Sequence, residues 1–263
     1  MHRIAILAFG MLIAALPPQV SAYASALTIT YYTISSDDPD ANNLADGVYN
    51  NEVQNSLGPH GLPVLNISAF GCSSDCYAVN GAPGFPGGVG PNVNVDASTG
   101  EITYWSPSLN PSYVTQTLQS AVTLPFNRPS NFFPPNGGGL QDGGSNGFQA
   151  VHLAGTLNAP TAEQLTFNIG SDDMSFAYID GHVVCDDGGV HASSSVACTT
   201  PIVGAGNHSF DLFFVDINTV QSGLTFSITT EGVTTTTVPE PVSLAVLGAG
   251  LAGLGALRRR NQS

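Results

Sequence analysis

The stretch GSDDMSFAYIDGHVVCDDGGVH, residues 170–191, sets a carboxylate pair at each end of an apolar run with Asp180-Gly181 at its centre. Asp-Gly between two such runs signals a two-residue hairpin, because that turn needs positive φ at both central positions. The flanking runs, 174–179 and 182–185, therefore read as antiparallel strands. Counting outward pairs Ile179 with His182, Tyr178 with Val183, Ala177 with Val184 and Phe176 with Cys185. The same count sets Asp186 opposite Ser175 and Asp187 opposite Met174, at the open end where Asp172 and Asp173 stand. Four carboxylates in one place repel unless they are solvated, protonated or bridged by a cation. Ca²⁺ suits such a bridge, since it takes roughly 6 to 8 oxygen ligands from carboxylates, carbonyls and water. The competing reading is an acidic strand end that simply faces water.

Around the hairpin the chain has the composition of an exported β protein. Of its 263 residues 42% are hydrophobic and only 9% charged, so Gly, Ser, Thr, Asn and Asp carry most of the solvation. There is no Lys, and Arg128 is the one Arg away from the chain ends. Nucleic acid is excluded as a partner, because neutralising phosphates takes clustered Lys or Arg. All of the 19 acids except Glu240 lie between residues 27 and 237, against Arg128 alone, so that span carries about 17 net negative charges. A surface of that sign attracts cations and repels anions.

Short runs rich in Val, Ile, Thr, Tyr and Phe recur at 27–34, 93–95, 101–105, 148–157, 164–169, 208–215 and 224–230, separated by Gly, Pro, Asn and Asp clusters. That spacing predicts an all-β fold, an antiparallel sandwich or barrel. One weakly periodic stretch, 40–56, reads as a short helix. Residues 81–91 and 134–147 read as long surface loops. The strand at 27–34 is expected to complete the sandwich and to pair with the last strand. Four cysteines in an exported chain point to disulfides, and of the three possible pairings proximity favours Cys72 with Cys76 and Cys185 with Cys198. A zinc site is the weaker alternative, since the Cys-x-x-x-Cys spacing has no second ligand pair near it.

Both ends of the chain read as addresses. Residues 1–26 join a basic start, an apolar run from Ile4 to Leu16 and small-x-small cleavage options, as a secretory signal peptide does. The last residues combine Val238-Pro239-Glu240-Pro241, an apolar span at 242–257 and Arg258-Arg259-Arg260. That span is slightly short for a membrane helix of roughly 17 to 25 residues, and the triple Arg fits the positive-inside rule. These three parts in this order resemble the PEP-CTERM sorting signal of Gram-negative bacteria. The resemblance implies recognition and cleavage by an exosortase, membrane association before processing, and association with exopolysaccharide. It covers residues 238–263, after a Thr spacer at 234–237.

The central stretch carries a second resemblance. FNIGSDDMSFAYIDGHVVCDDGGVH, the upstream FFPPNGGGLQD (132–142) and the downstream GNHSFDLFFVDINTVQSGLTFSI resemble the fibro-slime pattern over residues 125–232. More distantly they are similar to the protective-antigen-type fourteen-kilodalton domain, a jelly-roll β-sandwich of adhesins, toxins and glycosidases. In flocculin members of that family a paired Asp-Asp binds Ca²⁺, which chelates sugar hydroxyls. Carried over, the resemblance makes Asp172 and Asp173 Ca²⁺ ligands through a cis peptide, with Asp216 and Asn218 as second-loop ligands or sugar contacts. His191 belongs to the Gly-Gly-Val-His part of the pattern; an oxygen-rich site leaves it a hydrogen-bonding place beside the ligand rather than on the metal. Here Cys185 replaces an aliphatic residue of the pattern. The domain as a whole is expected to span 27–233.

Other motifs carry no chemistry. Residues 248–253 fit G-x-G-x-x-G, but only ten residues follow and no βαβ unit can form. Residues 143–147 fit G-x-S-x-G without the strand that a nucleophile elbow needs before Ser145. Adjacent Asp pairs are not carboxylates shown to flank a glycosidic bond. Tyr104 and Trp105 offer a sugar-stacking surface, although a single strand aromatic is more often core. The sequence therefore points to a non-enzymatic cell-surface or matrix module that binds polysaccharide with Ca²⁺. A purely structural matrix protein is the alternative, and a glycan-active enzyme a distant third.

Overall fold

The computed structural model describes residues 26–38, 50–70, 94–128, 147–218 and 222–236. The signal segment to residue 25, Cys72 and Cys76, the loop at 81–91, most of the loop at 134–147 and the sorting signal at 238–263 lie outside them. Among the described residues every regular element but one is a strand. The exception is a single 3₁₀ turn, Ile67–Phe70.

The strands are β1 (Ala26–Ile34), β2 (Val114–Thr123), β3 (Phe126–Arg128), β4 (Phe148–Ala159), β5 (Glu163–Asp172) and β6 (Met174–Ile179). They continue as β7 (His182–Asp187), β8 (Val196–Val203), β9 (Gly206–Asp216), β10 (Gly223–Ile228) and β11 (Thr234–Thr236). They form two antiparallel sheets. One runs β2-β1-β4-β9-β6-β7, with β11 also on β4; the other runs β3-β10-β5-β8.

Alternation along the strands decides how the sheets meet. Leu165, Phe167 and Ile169 of β5, with Leu224 and Phe226 of β10, face Val151 and Leu153 of β4 and Phe210, Leu212 and Phe214 of β9. All of these are essentially inaccessible to water. The opposite face of the larger sheet is covered too. There Phe148, Phe176, Tyr178, Phe213 and Val215 pack under irregular chain that brings Val53, Leu65, Ile102, Tyr104 and Trp105. Burial on both faces explains why β6 reads as a continuous apolar run rather than an alternating one. Trp105 is core: its indole N–H donates to the Phe214 carbonyl at 2.9 Å, and its ring meets Phe213 edge-on.

The hairpin forms at Asp180-Gly181, both with positive φ, but its register departs from the simple count. Ile179 pairs with His182 and Tyr178 with Val183; a bulge then moves Ala177 to Cys185, Phe176 to Asp186 and Ser175 to Asp187. An extra residue at Val184 accounts for the shift. The pairs counted as Ala177–Val184 and Phe176–Cys185 are thereby corrected.

β1 and β2 both belong to the larger sheet, and β1 lies between β2 and β4 rather than against a last strand. β11 continues along the same side of β4, so Thr234–Thr236 of the threonine run is a strand and Thr235 is buried. Where β1 and β11 meet, a Cβ on Gly155 would stand 2.5 Å from Leu27 and 2.6 Å from the Thr236 carbonyl. The described residues 94–105 form only isolated bridges, Val95 to Ile102 and Val64 to Glu101. The described part of the expected helix, 50–56, is not helical. Its backbone is drawn into other contacts: the Val53 N–H donates to Asp186, and Asn55 accepts from the Val183 N–H.

Candidate functional site

Three strand connections cross between the sheets at the same end of the sandwich. They are β5 to β6 at Asp172-Asp173, β7 to β8 through His191, and β9 to β10 through Asp216–Asn218. Asp172 pairs with Gly223 and Met174 with Val215, so the first and third crossings are neighbours. The Asp172–Asp173 peptide is cis.

Asp173 links all three crossings. Its Oδ1 accepts the His191 N–H at 3.1 Å, and its Oδ2 accepts the N–H groups of Ile217 at 3.0 Å and Asn218 at 3.1 Å. The Asn218 N–H also donates to Asp216 at 2.9 Å. Asp172, Asp173 and Asp216 are 4%, 1% and 0% exposed. Burial pushes the Asp173 carboxyl up to about 6, helped by the negative charge of Asp172 and opposed by hydrogen bonds from Asp216 and the Ile217 N–H. Nothing in the sequence pattern showed that Asp173 is a three-fold backbone acceptor. The signal for it is its place beside two chain crossings, which only topology creates.

Asp187 and His191 form an adjoining polar pocket. Asp187 Oδ2 accepts hydroxyls from Ser171, at 2.9 Å, and from Ser194. Ser175 extends the chain through Ser171 at 2.9 Å. His191 donates Nδ1–H to the Ala192 carbonyl at 3.0 Å, leaving Nε2 3.7 Å from Asp187 Oδ1. None of these three serines was apparent from the sequence as a partner of Asp187.

Asp186 goes elsewhere. Neighbouring residues of a strand point to opposite faces, and Asp186 emerges beside Tyr178 on the covered face, where its Oδ2 accepts the Val53 N–H at 2.9 Å. Burial pushes its carboxyl up to about 7, with the Asp187 charge adding to the effect. The structure thus brings together Asp172, Asp173, Asp216, Asn218 and His191, sets Asp187 next to them and places Asp186 on the far side of the sheet. The Cys185–Cys198 disulfide joins β7 to β8, with Cα atoms 5.5 Å apart. A cleft of about 450 Å³ lined by Asn55, Asp180, His182, Ile202 and His208 lies at the hairpin-turn end, away from the Asp172-Asp173 corner.

The donor set at the crossings is all oxygen, which suits a hard cation and not a soft one. Among the described residues no three His, Cys, Asp or Glu side chains converge as a metal cage. Asp172, Asp173 and Asp216 would therefore hold Ca²⁺ only with the Asn218 amide, loop carbonyls and water completing the shell.

Fold and site define an antiparallel β-sandwich with a buried carboxylate corner where its chain crossings meet. No family model and no curated protein matches the chain. Among solved structures it is similar to an anti-sigma factor domain-containing protein, at 13% identity and TM-score 0.38, over 48% of this chain and 44% of that one. The chain thus spans less than half the length of that protein. It is also similar to a PA14 sugar-binding domain from an RTX adhesin, at 14% identity and TM-score 0.34, over 78% of this chain and 88% of that one. A PA14 domain of an antifreeze protein shows 16% identity and TM-score 0.31, over 82% and 92% of the two chains.

Proposed function

We propose that this chain is an exported, non-enzymatic surface or matrix module of a Gram-negative bacterium whose Asp172-Asp173 corner binds Ca²⁺ and, through it, hydroxyls of an extracellular polysaccharide. The observation that carries the reading is the burial of three carboxylates, Asp172, Asp173 and Asp216, at one corner of a chain without Lys. Several like charges taken out of water are stable only when protonated or matched by a cation. The signal segment at 1–26 and the sorting signal at 238–263, with its span at 242–257, supply the route: export, exosortase cleavage and release to the cell surface or matrix.

A second reading has its own support. Three backbone N–H groups already occupy Asp173, so the corner also serves as an architectural clasp. In that reading the protein is a structural matrix component, and Ca²⁺ stiffens it without contacting sugar.

Thermal unfolding of the full chain with Ca²⁺ and with chelator, for wild type and for Asp172→Asn/Asp173→Asn, tests the metal. A ligand at about one hundred times its dissociation constant adds about 2.7 kcal/mol. Wild type is expected to shift and the double variant not; equal behaviour of wild type in Ca²⁺ and chelator refutes the site. Binding to exopolysaccharide fractions with and without Ca²⁺ then separates the two readings, because a structural protein retains the thermal shift and binds no glycan.

A further inference from the structure

Sheet edges expose unpaired backbone groups, and β proteins blunt them by shortness, charge, proline or a covering segment. Among the described strands this sandwich has four edges. β7 is covered by residues 55–57, through the Val183 N–H to Asn55 carbonyl bond at 2.8 Å and the Leu57 N–H to Gly181 carbonyl bond at 3.1 Å. β3 is three residues long and ends on Arg128. β8 contains Pro201, which has no N–H to donate.

Among the described residues β2 carries no charge, proline or covering segment, although it has a bulge at Thr117 opposite the Tyr31–Tyr32 step of β1. It runs for ten residues, VTQTLQSAVT, pairs only with β1 among the described strands, and beyond Val114 is exposed on its outer face and half-buried at Leu118, Ser120 and Val122 on its inner one. No Asp, Glu, Lys or Arg occurs anywhere from residue 102 to 127. The rest of the molecule is strongly acidic, with a net charge of −14 for the chain. Two copies brought together through β2 oppose no charged side chain, only Thr, Gln, Ser, Ala, Leu and Val.

We propose that β2 is a self-association edge, along which two copies of this chain pair antiparallel about a two-fold axis and join their larger sheets into one. A two-fold normal to the sheet keeps each side chain on its own face, so a residue must sit on the axis. Leu118 and Val122 are half-buried on the inner face, and an axis at Ser120 sets Leu118 of each copy opposite Val122 of the other. The same register places Gln119 opposite Ala121, both exposed. Cross-strand neighbours on one face interact directly, and like charges there are destabilising. The occupant is a second copy because the edge is self-complementary and uncharged, whereas a basic partner would be drawn to the acidic surfaces instead. The proposal stands apart from the carboxylate corner, and either can fail without the other.

Sedimentation velocity of the purified full chain over a concentration series, in low and in 0.3 M salt, tests it. A dimer that tightens with salt is expected, since screening relieves the repulsion between two acidic bodies. Gln119→Glu/Ala121→Glu should weaken the dimer at least tenfold, and Gln119→Lys/Ala121→Glu should restore it, because opposite charges then face each other across the axis. These positions are exposed, and an unchanged melting temperature shows that the variants are folded. Ile202→Glu, on the β8 edge, should leave the dimer intact. A chain that stays monomeric at every concentration and salt overturns the proposal. So does a dimer indifferent to the double-Glu change, or one lost on Ile202→Glu.

Discussion

Replacing Asp173 by Ala should reveal itself through pH more than through its effect at any one pH. The change orphans the buried N–H groups of His191 and Ile217, while the Asn218 N–H keeps Asp216 as acceptor. Two unsatisfied buried donors cost about 1–3 kcal/mol each. The lost carboxylate works in the other direction. Burial holds Asp173 at about 6 in the fold, against an ordinary 3.8, so at pH 7 the charged form costs the native state about 3 kcal/mol at about 1.4 kcal/mol per pH of displacement. A raised carboxyl makes the native state bind more protons, and stability then rises as pH falls from about 7 to about 4. Wild type in chelator should therefore gain stability on acidification across that window, a gain that the variant lacks. The penalty of Asp173→Ala should be small at pH 7.5 and larger by about 2 kcal/mol at pH 4.5. For a domain of this size that is about 4–8 °C in melting temperature. Asp173→Asn, which keeps one acceptor oxygen, should fall between the two. Urea unfolding at both pH values measures this, and equal pH slopes for wild type and Asp173→Ala would refute the account of a buried, desolvated clasp.

Three further outcomes follow from the same physics. Asp186→Asn keeps an acceptor for the Val53 N–H while removing a carboxyl raised to about 7, so at pH 8 the variant should melt above wild type and at pH 4 should not; calorimetry at the two pH values decides it. Glu101, fully buried, accepts the N–H groups of His60 at 2.8 Å and Leu62 at 3.3 Å and contacts the His60 imidazole, and those bonds hold its carboxyl below the ordinary range despite burial. Its contribution is present above pH 4.5 and lost as the pH falls through the depressed value, so Glu101→Gln should cost about 1–3 kcal/mol at pH 7 and progressively less on acidification below 4.5. Opening the Cys185–Cys198 link, which closes a 13-residue separation, by Cys185→Ser/Cys198→Ser should cost about 3 kcal/mol in chemical denaturation. A loss below about 1 kcal/mol would show that β7 and β8 are held by packing alone.

Local pattern was enough to determine that this chain is an antiparallel β protein with a hairpin at Asp180-Gly181. Turn chemistry and apolar runs act over a few residues, and β4, β5, β6 and β9 declare themselves in that way. β2 and β8 did not, because Thr, Ser and Gln on a half-exposed edge strand differ little from loop composition. The pairing of Cys185 with Cys198 was favoured by proximity alone and needed only two adjacent edges to form. The carboxylates divide along the same line. Acidic pairs were visible in the sequence, but their convergence depends on where the chain crosses between sheets. The β7 bulge and the two-residue period of a strand send Asp186 and Asp187 to opposite faces, whereas Asp173 and Asp216, 43 positions apart in sequence, meet because β5 and β9 end at the same corner. Which groups share a pocket is a property of long-range topology, and no local pattern carries it.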